Sequence, residues 1–230
     1  MSKNSPNPNW KPGHSSVSPL DQTKEMVSLD PKTLDVTPTY KLLIGTVVPR
    51  PIAFISTINK NGQGNLAPFS FFNGVSTSPP CLMIAITQKE DHVKKDTLRN
   101  IEETGEFVIN TVSEWMAEAV NHCSALYPYG VSEMEKAGLT PLPSEKVAPP
   151  RVKEAPIQME CKLYNSMKVG DGKKGSSTIV VGEVVQFHIH PDVYQNGKIL
   201  IEPLKPISRL AGFSYGRTTE TFDIPRPTIE

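Results

Sequence analysis

Proline occurs 22 times in 230 residues, about 10% against the roughly 5% of ordinary chains. Its ring fixes φ and removes an amide donor, so it is excluded from helix interiors and from central positions of a β-ladder. A chain with this much proline is expected to be loop-rich and built mostly of short strands. Pro6, Pro8, Pro12, Pro19, Pro31 and Pro38 stand among Ser, Asn and Lys near the start. Residues 1–37 are therefore expected to be extended or partly disordered, with residues 38–230 forming one domain.

From Leu42 onward the texture changes. Leu42 to Val48 and Ile52 to Ile58 are β-branched and apolar, separated by Pro49-Arg50-Pro51 and followed by the turn cluster Asn59 to Gly64. Both read as strands, as do Cys81 to Thr87, Phe107 to Thr111, Gln158 to Val169, Thr178 to His190 and Lys198 to Ile201. Asn196-Gly197 marks a hairpin turn. Helical patterns are short. Asp96 can cap a helix through Leu98 and Ile101, closed by Gly105. Ser113 can cap another, carrying Trp115, Met116, Ala119, Val120 and Cys123 at helical spacing, and Ser132 with Glu135 forms a one-turn capping box. The economical architecture is mainly β: one barrel-like domain with a few peripheral short helices.

Lys and Arg total 24, as do Asp and Glu, for a formal net charge of zero. Nucleic-acid binders need a basic surplus on one face, so that class is set aside. No stretch approaches the roughly 20 apolar residues of a membrane-spanning helix. The opening MSKNSPNPNWKPGHSS lacks the apolar core of a secretory signal, so the expected location is the cytoplasm. Cys81, Cys123 and Cys161 show no C-x-x-C spacing, which argues against a disulfide framework and a thiolate zinc site. Cys81 reads as core. Gly170 to Gly175 spells G-x-G-x-x-G, but a strand-like run follows where the fingerprint needs a helix, so it reads as a hairpin loop. Gly212 to Gly216 spells G-x-S-x-G with no His downstream. His188-x-His190 puts two imidazoles on one strand face, too few to fill a metal site. No catalytic side chain and no metal ligand set is assigned.

Three blocks carry polar residues that a simple barrel does not need. Pro49-Arg50-Pro51-Ile52-Ala53-Phe54-Ile55-Ser56-Thr57 fixes Arg50 between prolines. Gly64 to Asn73, running on to Pro79-Pro80, reads as an aromatic loop studded with Asn and Ser. Lys95 to Asn100 puts Lys and Thr at a helix start, where free amides favour anions. Taken singly, the structural readings are favoured: Arg50 as a surface charge, Ser70 as a turn residue and Asp96-Thr97 as a cap. Together, a cation, hydroxyls and a helix N-terminus suit a phosphate, and the aromatic loop suits a planar ring.

In order and spacing these blocks, PRPIAFIST, G-x-x-NLAPFSFFNGVS-x-x-PP and KDTLRNIEETGEFVIN, with the later VVGEVVQFHI and RLAGFSY, resemble the flavin reductase-like FMN-binding split-barrel family. The resemblance covers about Tyr40 to Arg217 and implies a Greek-key split β-barrel, a homodimer, and FMN near the subunit interface. It implies an FMN-dependent oxidoreductase in which NADH or NADPH gives a hydride to the flavin and the electrons pass to an acceptor. An FMN-binding electron carrier without its own NAD(P)H reaction is the alternative, with pyridoxine-phosphate oxidase chemistry behind it. Carried over position by position, Asn65, Leu66 and Ala67 would line the isoalloxazine and Ser70 would reach the phosphate end. Arg50 and Thr57 match first-block positions, and Lys95 and Thr97 match the phosphate-side helix start. Ala211 stands where Gly is usual, and no role is carried to Arg209 or Tyr215.

Overall fold

The computed structural model describes residues 5–88 and 90–228; the first four residues of the expected N-terminal segment and the last two of the expected domain lie outside them. The strands are β1 (Ala53–Ile58), β2 (Gly64–Phe69), β3 (Phe72–Thr77), β4 (Pro80–Thr87), β5 (Glu106–Thr111), β6 (Pro141–Leu142), β7 (Arg151–Val152), β8 (Ile157–Val169) and β9 (Ser177–Ile189). Short hairpins follow, β10 (Tyr194–Gln195) with β11 (Lys198–Ile199) and β12 (Ile207–Arg209) with β13 (Tyr215–Arg217). The helices are α1 (Val36–Thr46), α2 (Asp96–Thr104), α3 (Ala117–His122), α4 (Glu133–Lys136) and α5 (Ile201–Leu204).

One antiparallel sheet in the order β2-β1-β5-β8-β9-β4-β3 forms the body. It curls until β2 comes up to β4, giving a split barrel that is hydrogen-bonded from β2 round to β3 and open between those two. The fold is thus mainly β with short peripheral helices. β1 is buried on both faces, which explains its uninterrupted apolar run. Ala53 and Ile55 point into the barrel core with Phe107, Ile109 and Val180. Phe54 and Leu66 point the other way, into a second core shared with Val120 of α3, Met134 of α4 and Ile207 of β12.

Two expectations fail here. Leu42 to Val48 is not a strand; it is the last turns of α1 and its exit. Pro38 falls in the first turn of that helix, where an amide has no intrahelical acceptor and its loss costs nothing. Of the helix only Ile44 is buried, so the apolar run never had the two-sided burial that a core strand requires. The second block is not a loop but the strands β2 and β3. Pro68 is tolerated because β2 is an edge strand of the sheet. Residues 5–30 are exposed nearly throughout and contain turns but no helix or strand.

Candidate functional site

α2 lies across β1 and β2 and carries the third block. Asp96 is not its cap: Lys95 holds the extended N-cap conformation, with no side-chain capping bond, and Asp96 is the first helical residue. The Lys95 side chain therefore takes none of the leading amides of α2. Gly105 closes the helix in the left-handed conformation, at φ 73°, where a Cβ is disfavoured. Burial raises the Asp96 carboxyl above its usual range, with Arg99 opposing the shift. The buried face of α2 holds Leu98 and Ile101 but also the polar Thr97 and Asn100.

Those two polar residues meet the β1–β2 hairpin. Thr57 and Asn65 are directly paired across it, and their side chains share one face. Asn65 Nδ2 lies 2.9 Å from Thr97 Oγ1 and 3.4 Å from Thr57 Oγ1. Asn100 Nδ2 donates to Thr57 Oγ1 at 3.0 Å, and Tyr129 Oη donates to Asn100 Oδ1 at 3.2 Å. The Arg99 guanidinium covers the Tyr129 ring at 4.4 Å. Lys95 Nζ stands 5.1 Å from the Phe69 ring centroid, two alternations further along the Asn65–Ala67–Phe69 face of β2. A cleft of about 620 Å³ opens beside the cluster, with Thr57, Asn65, Leu66, Gly130 and Ser132 among its walls.

The remaining expected residues separate from this cluster. Arg50 is buried and donates to the carbonyls of Ile44, Val47 and Leu210, so it ties the end of α1 to the strand pair of β12. Its Nε also reaches Ser70 Oγ at 3.3 Å. Five residues of β-strand geometry, roughly 16 Å, part Ser70 from Asn65. Asn65 and Thr97 touch, whereas Ser70 and Thr97 lie toward opposite ends of β2. Leu66 turns its side chain into the second core, and its amide donates to Glu133 Oε2 at 2.8 Å. Burial, with Asp96 nearby, raises the Glu133 carboxyl, and the Leu66 amide partly offsets this. Ala67 is half-buried against the barrel core.

Asn100, Tyr129 and Glu133 were not legible as site residues in the blocks. Asn100 had one available signal: with Thr97 it puts amide and hydroxyl at i, i+3 on what should be an apolar stripe. Tyr129 and Glu133 arrive from a distant segment and had none. The decoy motifs resolve into hairpins. Gly170–Gly175 joins β8 to β9, and Gly212–Gly216 lies in the turn and second strand of the β12–β13 pair. His188 Nε2 sits 2.7 Å from Glu160 Oε1 while His190 is exposed. Among the described residues no group of three or more His, Cys, Asp and Glu could hold a metal, and no helix is long and apolar enough to cross a membrane. All three cysteines are buried and free, and burial pushes the Cys123 thiol up to about 12, so it is no ready nucleophile.

The model of the flavin reductase like domain matches residues 44–204. An uncharacterized protein of Halalkalibacterium halodurans is 46% identical over 205 residues, covering 88% of this chain and 98% of the relative. Nitrilotriacetate monooxygenase component B from Bacillus cereus superposes with a TM-score of 0.84 at 40% identity, over 87% of this chain and all of that one. The 2-nitrobenzoate 2-nitroreductase of Pseudomonas fluorescens gives 0.79 at 33% identity, over 89% and 98%. With the split barrel, the matching blocks and these relatives in agreement, the chain belongs to the flavin reductase like domain family, a family of flavin-related oxidoreductases.

Proposed function

We propose that the chain is an FMN-dependent oxidoreductase that takes electrons from NADH or NADPH through its flavin, works as a cytoplasmic homodimer, and binds the FMN phosphate where α2 meets the β1–β2 hairpin. The observation that supports this reading is the convergence of Thr57, Asn65 and Thr97 at the start of α2, where the N-cap Lys95 makes no side-chain capping bond and its ammonium reaches along β2 to the Phe69 ring. A carboxamide, an ammonium and helix amides form a donor-rich set that fits a phosphate monoester. On this reading two roles differ from those the family resemblance implies. Asn65, in contact with Thr97, serves the phosphate end rather than the ring, and Ser70, held by Arg50, belongs to the far end with the aromatic residues Phe71 and Phe72 beyond it. Arg50 acts by fixing the backbone around that end. Leu66 contributes backbone position only.

When bound, flavin supplies the hydride and electron chemistry that no side chain here provides. The chain's own residues would bind, orient and exclude water: Lys95 would neutralise the phosphate, Thr97 would hold it through its backbone amide, and the other leading α2 amides would add the positive end of the helix dipole. Nothing in the cluster serves a second phosphate and adenosine, which favours FMN over FAD. Two relatives bear names of redox proteins, a monooxygenase component and a nitroreductase, and this supports an enzyme over a passive carrier. The test is to extract the chromophore of the purified protein, then follow NADH and NADPH oxidation with FMN present. FMN recovered or bound on titration, with turnover of either nucleotide, is the expected result. FAD alone, or no flavin after titration, overturns the cofactor; tight FMN without turnover overturns the enzyme.

A further inference from the structure

The polar cluster has a proton inventory that its geometry does not balance as it stands. Thr57 and Thr97 are 0% and 1% exposed, so bulk water cannot serve their hydroxyls. With Asn65 Nδ2 turned toward both, each hydroxyl oxygen accepts, Thr57 accepting from Asn100 as well. Each hydroxyl hydrogen then has no acceptor among the described residues. A half-turn of the Asn65 carboxamide occupies the same volume and reverses its polarity. Its Oδ1, with two lone pairs, then accepts from Thr57 and from Thr97, while Asn100 still donates to Thr57. Both threonine hydroxyl donors are then satisfied. The consequence is that both N–H donors of half-buried Asn65 face away from the two threonines.

What keeps that polarity is Asn100. Were Asn100 reversed, its oxygen would take the Thr57 proton, and Asn65 would turn its N–H groups back inward. Tyr129 opposes this by donating to Asn100 Oδ1, and Arg99 over its ring holds the phenol in place. We propose that Tyr129, acting through Asn100 and Thr57, is a positioning residue that sets the Asn65 carboxamide as a double N–H donor, so that the site accepts a group with acceptors only, a phosphate monoester, and refuses a donor. This rests on the reading above that a flavin phosphate lies here.

The experiment has two arms, chosen so that each reading can fail alone. Neutron diffraction from deuterium-exchanged, flavin-free protein locates the deuterons on Asn65, Asn100 and Thr57. Deuterons on the outward amide atom of Asn65 and between Thr57 and Asn65 are expected; an inward ND₂ group overturns the proposal whatever the protein binds. In the second arm, FMN and riboflavin are titrated against the parent, Tyr129→Phe and Asn65→Asp, with inorganic phosphate as competitor. Asn65→Asp, which presents acceptors only, is expected to weaken FMN by about tenfold or more, and Tyr129→Phe by several-fold, with riboflavin affinity little changed in either. A merely structural role for Tyr129 would move both flavins together, and an unchanged FMN-to-riboflavin ratio in Tyr129→Phe overturns the proposal. If the parent binds neither flavin, the functional reading fails and the neutron map alone decides the network.

Discussion

Lys95 and Glu160 show how differently two charged residues can serve one fold. Lys95 is half-buried at the start of α2, with its ammonium 5.1 Å from the centre of Phe69. A charge-assisted bond to phosphate contributes roughly 1.5–3 kcal/mol, so Lys95→Ala should weaken FMN by about tenfold or more. Riboflavin, which lacks the phosphate, should bind nearly as before. Fluorescence titration with both flavins checks this, and equal weakening of the two would mean that Lys95 shapes the site generally. Asp96 has no matching role as a cap, since it stands one residue inside the helix. Glu160 is fully buried in β8; its Oε2 accepts the amides of Lys146 and Val147, and its Oε1 accepts the Glu145 amide and lies 2.7 Å from His188 Nε2. Burial pushes its carboxyl up, but the Glu145 and Lys146 amides and His188 outweigh that, and its pKa lies below the usual glutamate value. A depressed folded pKa means the unfolded chain binds the proton first as pH falls. The stability that Glu160 adds is thus complete above the unfolded glutamate pKa and disappears as pH drops through the lower folded one. Glu160→Gln turns an amide donor toward donors and should cost about 1–3 kcal/mol at neutral pH. Urea midpoints at neutral pH and in acid should show that cost shrinking in acid; a gap independent of pH would sink the assignment.

Among the elements, β9 carries the sharpest packing constraint. A Cβ built on Gly182 would stand 2.2 Å from Phe107 Cζ, and Phe107 of β5 is wholly buried in the barrel. The missing side chain on one strand is what admits the aromatic ring of another. Gly182→Ala should destabilise by about 1–3 kcal/mol through overpacking, and pairing it with Phe107→Leu should recover part of that loss. Thermal melts of the single and double variants decide it, and additive losses would show that the contact is not the cause. Such a constraint is invisible in sequence, because it depends on register across the barrel rather than on neighbours in the chain. What the sequence did make legible has local causes. The Asn196-Gly197 turn appears at φ 50° and 78°, Gly105 closes α2, and Ser132 accepts from the Glu135 amide. The strands β1, β4, β5, β8 and β9 declare themselves by β-branched runs. Leu42 to Val48 misled because composition alone cannot separate a strand from a poorly buried helix. The Gly64–Thr77 strands were hidden by Pro68, whose tolerance depends on edge position. At the candidate site, the resemblance of their blocks singled out Thr57, Asn65 and Thr97, but their mutual contact needed the curl of the sheet and the placement of α2.

At the scale of the whole molecule, the barrel leaves apolar surface that a single copy does not cover. β8 extends beyond its partner β5, and on that stretch Tyr164 and Met167 are 60% and 58% exposed. On the other side of β9, the edge strand β3 presents Val75, and a groove of about 640 Å³ runs between it and Phe187, with Pro80, Leu82 and Val184 in its floor and walls. An open strand edge beside exposed aromatic surface invites pairing with a further chain unless it is covered. A two-fold axis would let one patch cover its own copy, and a stable pair needs about 1,200–2,000 Å² of buried surface in total. The expected state is therefore a homodimer of about twice the 25.3 kDa chain mass. Light scattering on a sizing column at micromolar concentration measures it directly. Val75→Asp with Phe187→Asp places two like charges in that groove on each copy, and should give a monomer with an unchanged far-ultraviolet circular dichroism spectrum. A parent protein of single-chain mass refutes the dimer. A doubly substituted protein that stays paired as tightly as the parent leaves the dimer standing and moves its interface away from β3 and β9.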